Sequence, residues 1–141
     1  MTRWLNGLQP WGVVLLRIVL AVAMLYSGWG KVFPAGGFHH HLSFAGVDHF
    51  CRYVGTLGVP YWMGYVAVFA EVIGGLGMLF GLFVRFFAFL IAGDMLFAIL
   101  LVTGRHGYAA SEYPLALMAM AVMVLLTGPG RMALDRRMGL I

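Results

Sequence analysis

The chain alternates between long apolar runs and short polar breaks. The runs cover approximately residues 11–32, 61–83, 86–103 and 113–127. A helix needs about 20 mostly apolar residues to cross roughly 30 Å of hydrocarbon, so each run is predicted as a membrane-spanning helix. The breaks are a long connection over 33–60, a very short one near Arg85 and a medium one over 104–112. Within the first, residues 46–57 read as a short amphipathic helix lying in the interface. The segment from Gly128, with Arg131, Asp135, Arg136 and Arg137, reads as an exposed end. The expected fold is an all-α membrane protein, a four-transmembrane-helix bundle forming a single membrane domain over 1–141, with a short interfacial helix in the first loop. The first run is too long for a cleaved signal peptide, and Tyr26-Ser27-Gly28-Trp29-Gly30-Lys31 holds no small-x-small processing site.

Composition narrows the class further. Hydrophobic types make up 62% of the 141 residues and charged types 10%, against roughly 45–50% and about 25% in a globular domain. That excludes a water-soluble domain and a disordered chain. The single cysteine, Cys51, excludes a disulfide scaffold and a self-contained dithiol cycle. The net charge of +4 comes from scattered basic residues, none in a cluster larger than Arg136-Arg137, so nucleic acid is not an expected partner. With four spans, one side holds Arg3, Arg85, Arg131, Arg136 and Arg137, and the other Lys31, Arg52 and Arg105. This asymmetry places both termini in the cytoplasm. Trp4, Trp11, Trp29, Tyr61, Trp62 and Tyr113 sit near span ends, where amphipathic rings favour the interface.

Glycines inside the runs (Gly28, Gly30, Gly64, Gly74, Gly75, Gly77, Gly81 and Gly93) suit close helix packing within the bundle, with a dimer face at the Gly77–Gly81 GxxxG as the lesser reading. Homo-oligomers stay open.

Charges inside the runs carry the chemistry. An Arg, Lys or Asp at the bilayer centre costs at least about 2.5–3.5 kcal/mol, so an unpaired one is rare. This chain keeps Arg17, Glu71 and Asp94 well inside, with Lys31, Arg85 and Glu112 near span ends. At about 100° per residue, Arg17, Met24, Gly28 and Lys31 share one stripe of the first helix, and Glu71, Gly75, Met78 and Arg85 share one of the second. The expectation is a buried network in which Arg17 pairs with Glu71, extended by Asp94. One of the two acids then holds a proton, Asp94 being favoured because Arg17 keeps Glu71 ionised. Such a site suits proton exchange, a polar headgroup or redox chemistry; a salt bridge that only fixes helix register is the alternative. Lys31, Arg105, His106 and Glu112 could converge at the outer end as the mouth of the same cavity, or simply snorkel.

His39-His40-His41 and the later Asp48, His49 and Cys51 are metal-ligand types. Three adjacent histidines cannot all point one way, and no HxxxH or HExxH spacing occurs, so no metal site is assigned. Haem ligation between spans would need intramembrane histidines, and the spans hold none.

Three motif groups in order resemble those of the DoxX family of small four-helix bacterial membrane proteins. They are Leu16-Arg17-Ile18 with Ser27-Gly28-Trp29-Gly30-Lys31-Val32; Ala70-Glu71-Val72-Ile73-Gly74-Gly75 with Leu79-Phe80-Gly81-Leu82-Phe83-Val84-Arg85; and Thr127-Gly128-Pro129-Gly130-Arg131-Met132-Ala133-Leu134-Asp135, where Ala133 replaces the usual Ser. The resemblance runs across nearly the whole chain and implies the cytoplasmic (inner) membrane of a bacterium. It implies a quinone-linked oxidoreductase subunit or an oxidative-stress complex with soluble redox enzymes. The family's polar positions fall on Arg17, Lys31, Glu71 and Arg85, with His106 and Glu112 as looser matches; these six form the candidate ligand-binding set. Glu71 and Asp94 are the candidates for catalytic proton exchange, Asp94 on energetic grounds alone.

Two functions follow. One is a quinone- or quinol-binding redox component with no covalently bound cofactor. The other is non-enzymatic: a scaffold for soluble redox enzymes, or a small-solute carrier. Whether the chain is an enzyme by itself stays open.

Overall fold

The computed structural model describes residues 2–33 and 44–139. The His39–His41 run lies outside the described residues.

Helix α1 spans Thr2–Val32, α2 Phe44–Thr56, α3 Trp62–Phe80, α4 Val84–Ala98, α5 Tyr108–Thr127 and the short α6 Leu134–Arg137. Helix α4 runs on through a π turn, Ile99–Thr103, and a 3₁₀ turn, Gly104–His106. Among the described residues, four segments are long and apolar enough to cross a membrane: Gly7–Val32, Trp62–Phe80, Val84–His106 and Tyr108–Thr127. Only 22–44% of each hydrophobic window is buried inside the protein, so the remaining apolar surface needs a lipid solvent.

The bundle packs α1 against α3 and α4 against α5, and α3–α4 contacts join the two pairs. Its core is Leu20, Ala21 and Met24 of α1, Met78 of α3, Phe87, Ile91 and Met95 of α4, and Leu117, Ala121 and Val124 of α5. Glycine permits the tight α1–α3 approach. A Cβ on Gly28 would lie 2.7 Å from Val72 Cγ2 and 3.2 Å from Glu71 Cβ, which fixes the antiparallel register of the two helices.

Helix α2 rests on α3 through Val47 and Cys51, which pack with Val68. Cys51 is fully buried, and its Sγ would stand 2.6 Å from a Cβ on Gly64. A short helix is therefore present where the interfacial one was expected; it starts two residues early and packs on α3.

Two further features depart from expectation. The medium 104–112 connection shrinks to a bend at Gly107, because α4 continues as far as His106 and α5 starts at Tyr108. The segment from Gly128 is not a free end. Gly128, Pro129, Ala133 and Asp135 are buried, and Gly130 lies over the Pro10 carbonyl and Val14 of α1.

Candidate functional site

The buried charges pair differently from the sequence expectation. Arg17 does not meet Glu71. Its Nη1 donates to the Pro129 carbonyl oxygen at 2.5 Å and its Nη2 to the Met132 carbonyl oxygen at 2.6 Å. Glu71 pairs instead with Lys31, whose Nζ donates to Oε1 at 2.5 Å. Ser27 Oγ donates to the same oxygen at 3.0 Å.

Helix geometry explains the exchange of partners. Arg17 and Lys31 share a face, but fourteen residues separate them by about 21 Å along the axis. The antiparallel register sets Ser27, Gly28 and Lys31 opposite Glu71, while Arg17 faces the far end of α3, near Gly81. Arg17 is 2% exposed and Glu71 2% exposed, so neither could stay without partners.

Arg17 belongs to a second polar cluster at that far end. Gly81 closes α3 in the left-handed region (φ 72°), and Phe83 before α4 takes φ 47°, a strained value for a side chain with a Cβ. The Asp135 carboxylate holds that turn, accepting from Phe83 N–H at 2.7 Å and Val84 N–H at 2.9 Å. The Asp135 N–H donates to the Gly81 carbonyl oxygen at 3.0 Å. The chain after α5 thus clips the α3–α4 turn to α1. Arg85 lies at this end, exposed and next to Gly128, away from Glu71.

The Lys31 end holds a cavity of about 430 Å³ bounded by α2, α3, α4 and the π turn. Most of its wall is apolar, with aromatic rings from Phe50, Tyr53, Phe89 and Phe97. Lys31, Glu71, Asp94 and Thr103 bring polar groups to it. Lys31 is fixed from two sides, by Glu71 and by the Phe50 ring, whose centroid lies 4.2 Å from Nζ. Asp94 is half-buried and makes no hydrogen bond or ion pair among the described residues. Glu71 Oε2 is buried and has no hydrogen-bond partner among the described residues. Lys31 also borders an open hollow beside His49, which shares Phe50 and Tyr53 with this cavity.

The π turn shapes one wall. Its wider winding places Leu101, Val102 and Thr103 on the cavity, and such turns recur at functional sites. Ser111 Oγ on α5 donates to Thr103 Oγ1 at 3.1 Å, tying the turn to the next helix.

Of the sequence candidates, then, Lys31, Glu71 and Asp94 come together and Arg17, Arg85, His106 and Glu112 do not join them. The expected convergence of Lys31 with Arg105, His106 and Glu112 is absent: those three are exposed, and His106 Nδ1 bonds the Val102 carbonyl oxygen of its own turn at 2.8 Å. Lys31 is drawn inward because Glu71 offers it a buried counter-charge. Ser27 and Phe50 were missed. Ser27 stands four residues before Lys31 on the same face, a spacing the sequence displayed; Phe50 required the docking of α2. Among the described residues, no three His, Cys, Asp or Glu side chains gather to hold a metal ion.

The DoxX family model matches residues 12–104. The chain is 27% identical over 136 residues to the inner membrane protein YqjF of Escherichia coli (strain K12), covering 94% of this chain and 95% of that protein. It is 28% identical over 125 residues to a Bacillus subtilis (strain 168) protein named "Putative oxidoreductase CatD", covering 88% and 84%. No solved structure matches significantly.

Proposed function

Since this chain belongs to the DoxX family, we propose that it is a membrane component of a redox system that binds the ring of a quinone or quinol in the cavity beside Lys31, Glu71 and Asp94. The observation that carries this reading is the joining of a mostly apolar cavity with a buried ion pair and a second carboxyl group. Ligand sites have this character: apolar walls and a few convergent polar groups.

The residues fit such a ring. Phe50, Tyr53, Phe89 and Phe97 offer flat apolar contact, and Glu71 Oε2 and the Asp94 carboxyl are polar atoms without protein partners among the described residues. When bound, a quinone couple supplies two-electron, two-proton chemistry at its ring oxygens. Lys31 fixes Glu71 and offers its remaining N–H bonds to a ring oxygen. Asp94 and Glu71 exchange protons with the ring, and the hollow at Lys31 and His49 gives those protons a route to water. The apolar walls exclude bulk water from the ring. Arg17 is a positioning residue for the helices in this reading, and Arg85, His106 and Glu112 take no part.

The other end of the electron transfer belongs to a partner, because Cys51, the single cysteine, is buried on Gly64 and offers no dithiol couple. The relative named as an oxidoreductase supports the redox class, and the relative named as an inner membrane protein supports that membrane as the location. The distribution of basic residues supports both termini in the cytoplasm.

The test is saturable binding of a decyl-substituted benzoquinone and its hydroquinone to the purified protein in lipid nanodiscs, followed by tryptophan fluorescence. At least one form should saturate a site that Gly93→Phe abolishes, since Gly93 lines the cavity with no atom within 4 Å of its Cβ direction. Binding of neither form, or binding indifferent to Gly93→Phe, would overturn the reading.

A further inference from the structure

The polar groups on the cavity wall are unequal in what they ask of a ligand. Glu71 spends Oε1 on both of its donors, Lys31 at 2.5 Å and Ser27 at 3.0 Å. Its Oε2 is buried and receives no hydrogen bond among the described residues. An ionised carboxylate is acceptor-only, so this oxygen calls for a donor. The residue is 2% exposed, and bulk water is not a ready substitute. The Asp94 carboxyl, on the same wall, also lacks a hydrogen-bond partner among the described residues. The broad terminal torsion of a glutamate lets Oε2 turn into the cavity at little cost.

The donors on the lining are Lys31, Thr103 and the hydroxyl of Tyr53, whose residue is 43% exposed and can turn to water. Thr103 Oγ1 already bonds the Ala98 carbonyl oxygen at 3.4 Å and receives Ser111. Lys31 keeps spare N–H bonds but is anchored between Glu71 and the Phe50 ring.

A ring carbonyl can only accept, and would leave Glu71 Oε2 without a partner. A ring hydroxyl both donates and accepts. It can give its proton to Glu71 Oε2 or Asp94 while taking a hydrogen bond from Lys31.

We infer that the cavity selects the reduced, hydroxyl-bearing form of its ring ligand over the oxidised, carbonyl form. This rests on the reading above and adds the redox state that the site recognises. An unmet buried acceptor makes the carbonyl form bind about tenfold more weakly. By linkage, such a site holds the bound couple in its reduced form more firmly than the lipid does.

The experiment measures separate dissociation constants for the decyl-hydroquinone and the decyl-benzoquinone, anaerobically, with the wild-type protein in nanodiscs. The hydroquinone is expected to bind about tenfold more tightly. In Glu71→Gln an amide N–H₂ group can face the cavity, so the preference should fall to unity or reverse. Serine hydroxyl loss in Ser27→Ala, which keeps Glu71, should leave the hydroquinone preferred. Equal or tighter binding of the benzoquinone by the wild type overturns the inference while leaving a quinone site standing. Binding of neither form removes both. Should Glu71→Gln fail to fold, the wild-type ratio still decides.

Discussion

Lys31 Nζ stands 2.5 Å from Glu71 Oε1 and 4.2 Å from the centre of the Phe50 ring, so one ammonium joins α1, α3 and α2 at the rim of the cavity. Its side chain is 23% exposed and that of Glu71 3%. The pair is thus lopsided: the cation can reach water and the carboxylate cannot. Lys31→Met should destabilise the protein by about 2–4 kcal/mol, because it leaves a buried carboxylate without its counter-charge. Replacing both residues in Lys31→Met/Glu71→Leu should recover most of that loss while removing ring binding. Thermal unfolding in detergent checks this; a double variant as unstable as the sum of the single ones would show that the two residues are not coupled.

Arg17 and Asp135 hold the opposite end. Removing the chain after Thr127 takes away both carbonyl oxygens that Arg17 bonds and the carboxylate that caps α4. A guanidinium left buried in this way costs about 3–5 kcal/mol, so the truncated protein should fail to fold. Asp135→Ala alone should cost about 1–2 kcal/mol, as for other lost helix caps. Phe83→Gly in that background should restore part of it by relieving the φ of 47°. Loss of any unfolding transition in the truncated protein, and the unfolding temperatures of the other two variants, provide the measurement.

The seat of α2 is open to a direct chemical test. A Cβ on Gly64 would fall 2.6 Å from Cys51 Sγ and 2.8 Å from Cys51 Cα, leaving no room for alanine. In the wild type, burial and then the neighbouring Asp48 carboxylate hold the Cys51 thiol above its ordinary range, so it should react with a thiol reagent far more slowly than free cysteine. Gly64→Ala should lift α2 and raise the labelling rate at least about tenfold, since reactivity follows thiolate fraction and access. An unchanged rate would mean that α2 stays seated without this contact.

The same helix should respond to pH at both ends of the scale. Tyr61 donates to Asp48, and this bond, with Arg52 beside it, draws Asp48 below the usual carboxylate range despite some desolvation. A lowered acid contributes stability above its unfolded value and loses it as pH falls through the folded one. The contribution should therefore fade below about pH 4. Tyr61 is shifted the other way, upward, chiefly by the same bond. Its contribution is complete below about pH 10 and is lost as the phenol ionises above that. Cys51 labelling relative to free cysteine at each pH should rise at both extremes. In Tyr61→Phe the acid-side rise should flatten.

The spans were legible because 62% hydrophobic composition arranged in long runs leaves little choice of fold. That Glu71 and Asp94 would stand together was legible for a related reason: carboxyl groups in lipid demand a cause. Which cation meets Glu71 was not. A helical wheel reports the face and not the depth, and Arg17 and Lys31 share a face. The register that decided between them comes from the Gly28–Val72 contact, a matter of two helices rather than one. Asp135 was hidden more thoroughly, since a lone acid in a polar stretch looks solvated until the chain folds back on the α3–α4 turn. The π turn left no pattern at all in the apolar run.

That π turn supplies the last prediction. The Gly104 N–H donates to the Ile99 carbonyl oxygen, five residues back, so the turn carries one residue more than an α-helix would. Leu100 is 62% exposed on the outer face of the helix and touches none of the cavity wall. Deleting it should return the segment to α winding with Thr103 held on its present face, because the residue removed is the extra one, while Leu101 and Val102 inside the turn shift on the cavity wall. The Ser111–Thr103 hydrogen bond is then kept, and the apolar outer surface still suits lipid. The shortened protein should remain folded, with a modest fall in unfolding temperature, yet bind the decyl ring at least about tenfold more weakly, because a small displacement of a binding wall removes its fit. Unfolding and ring titration on the same preparation separate the two effects. If binding survives the deletion, the π turn is a packing solution between α4 and α5 and the wall that matters lies on α3.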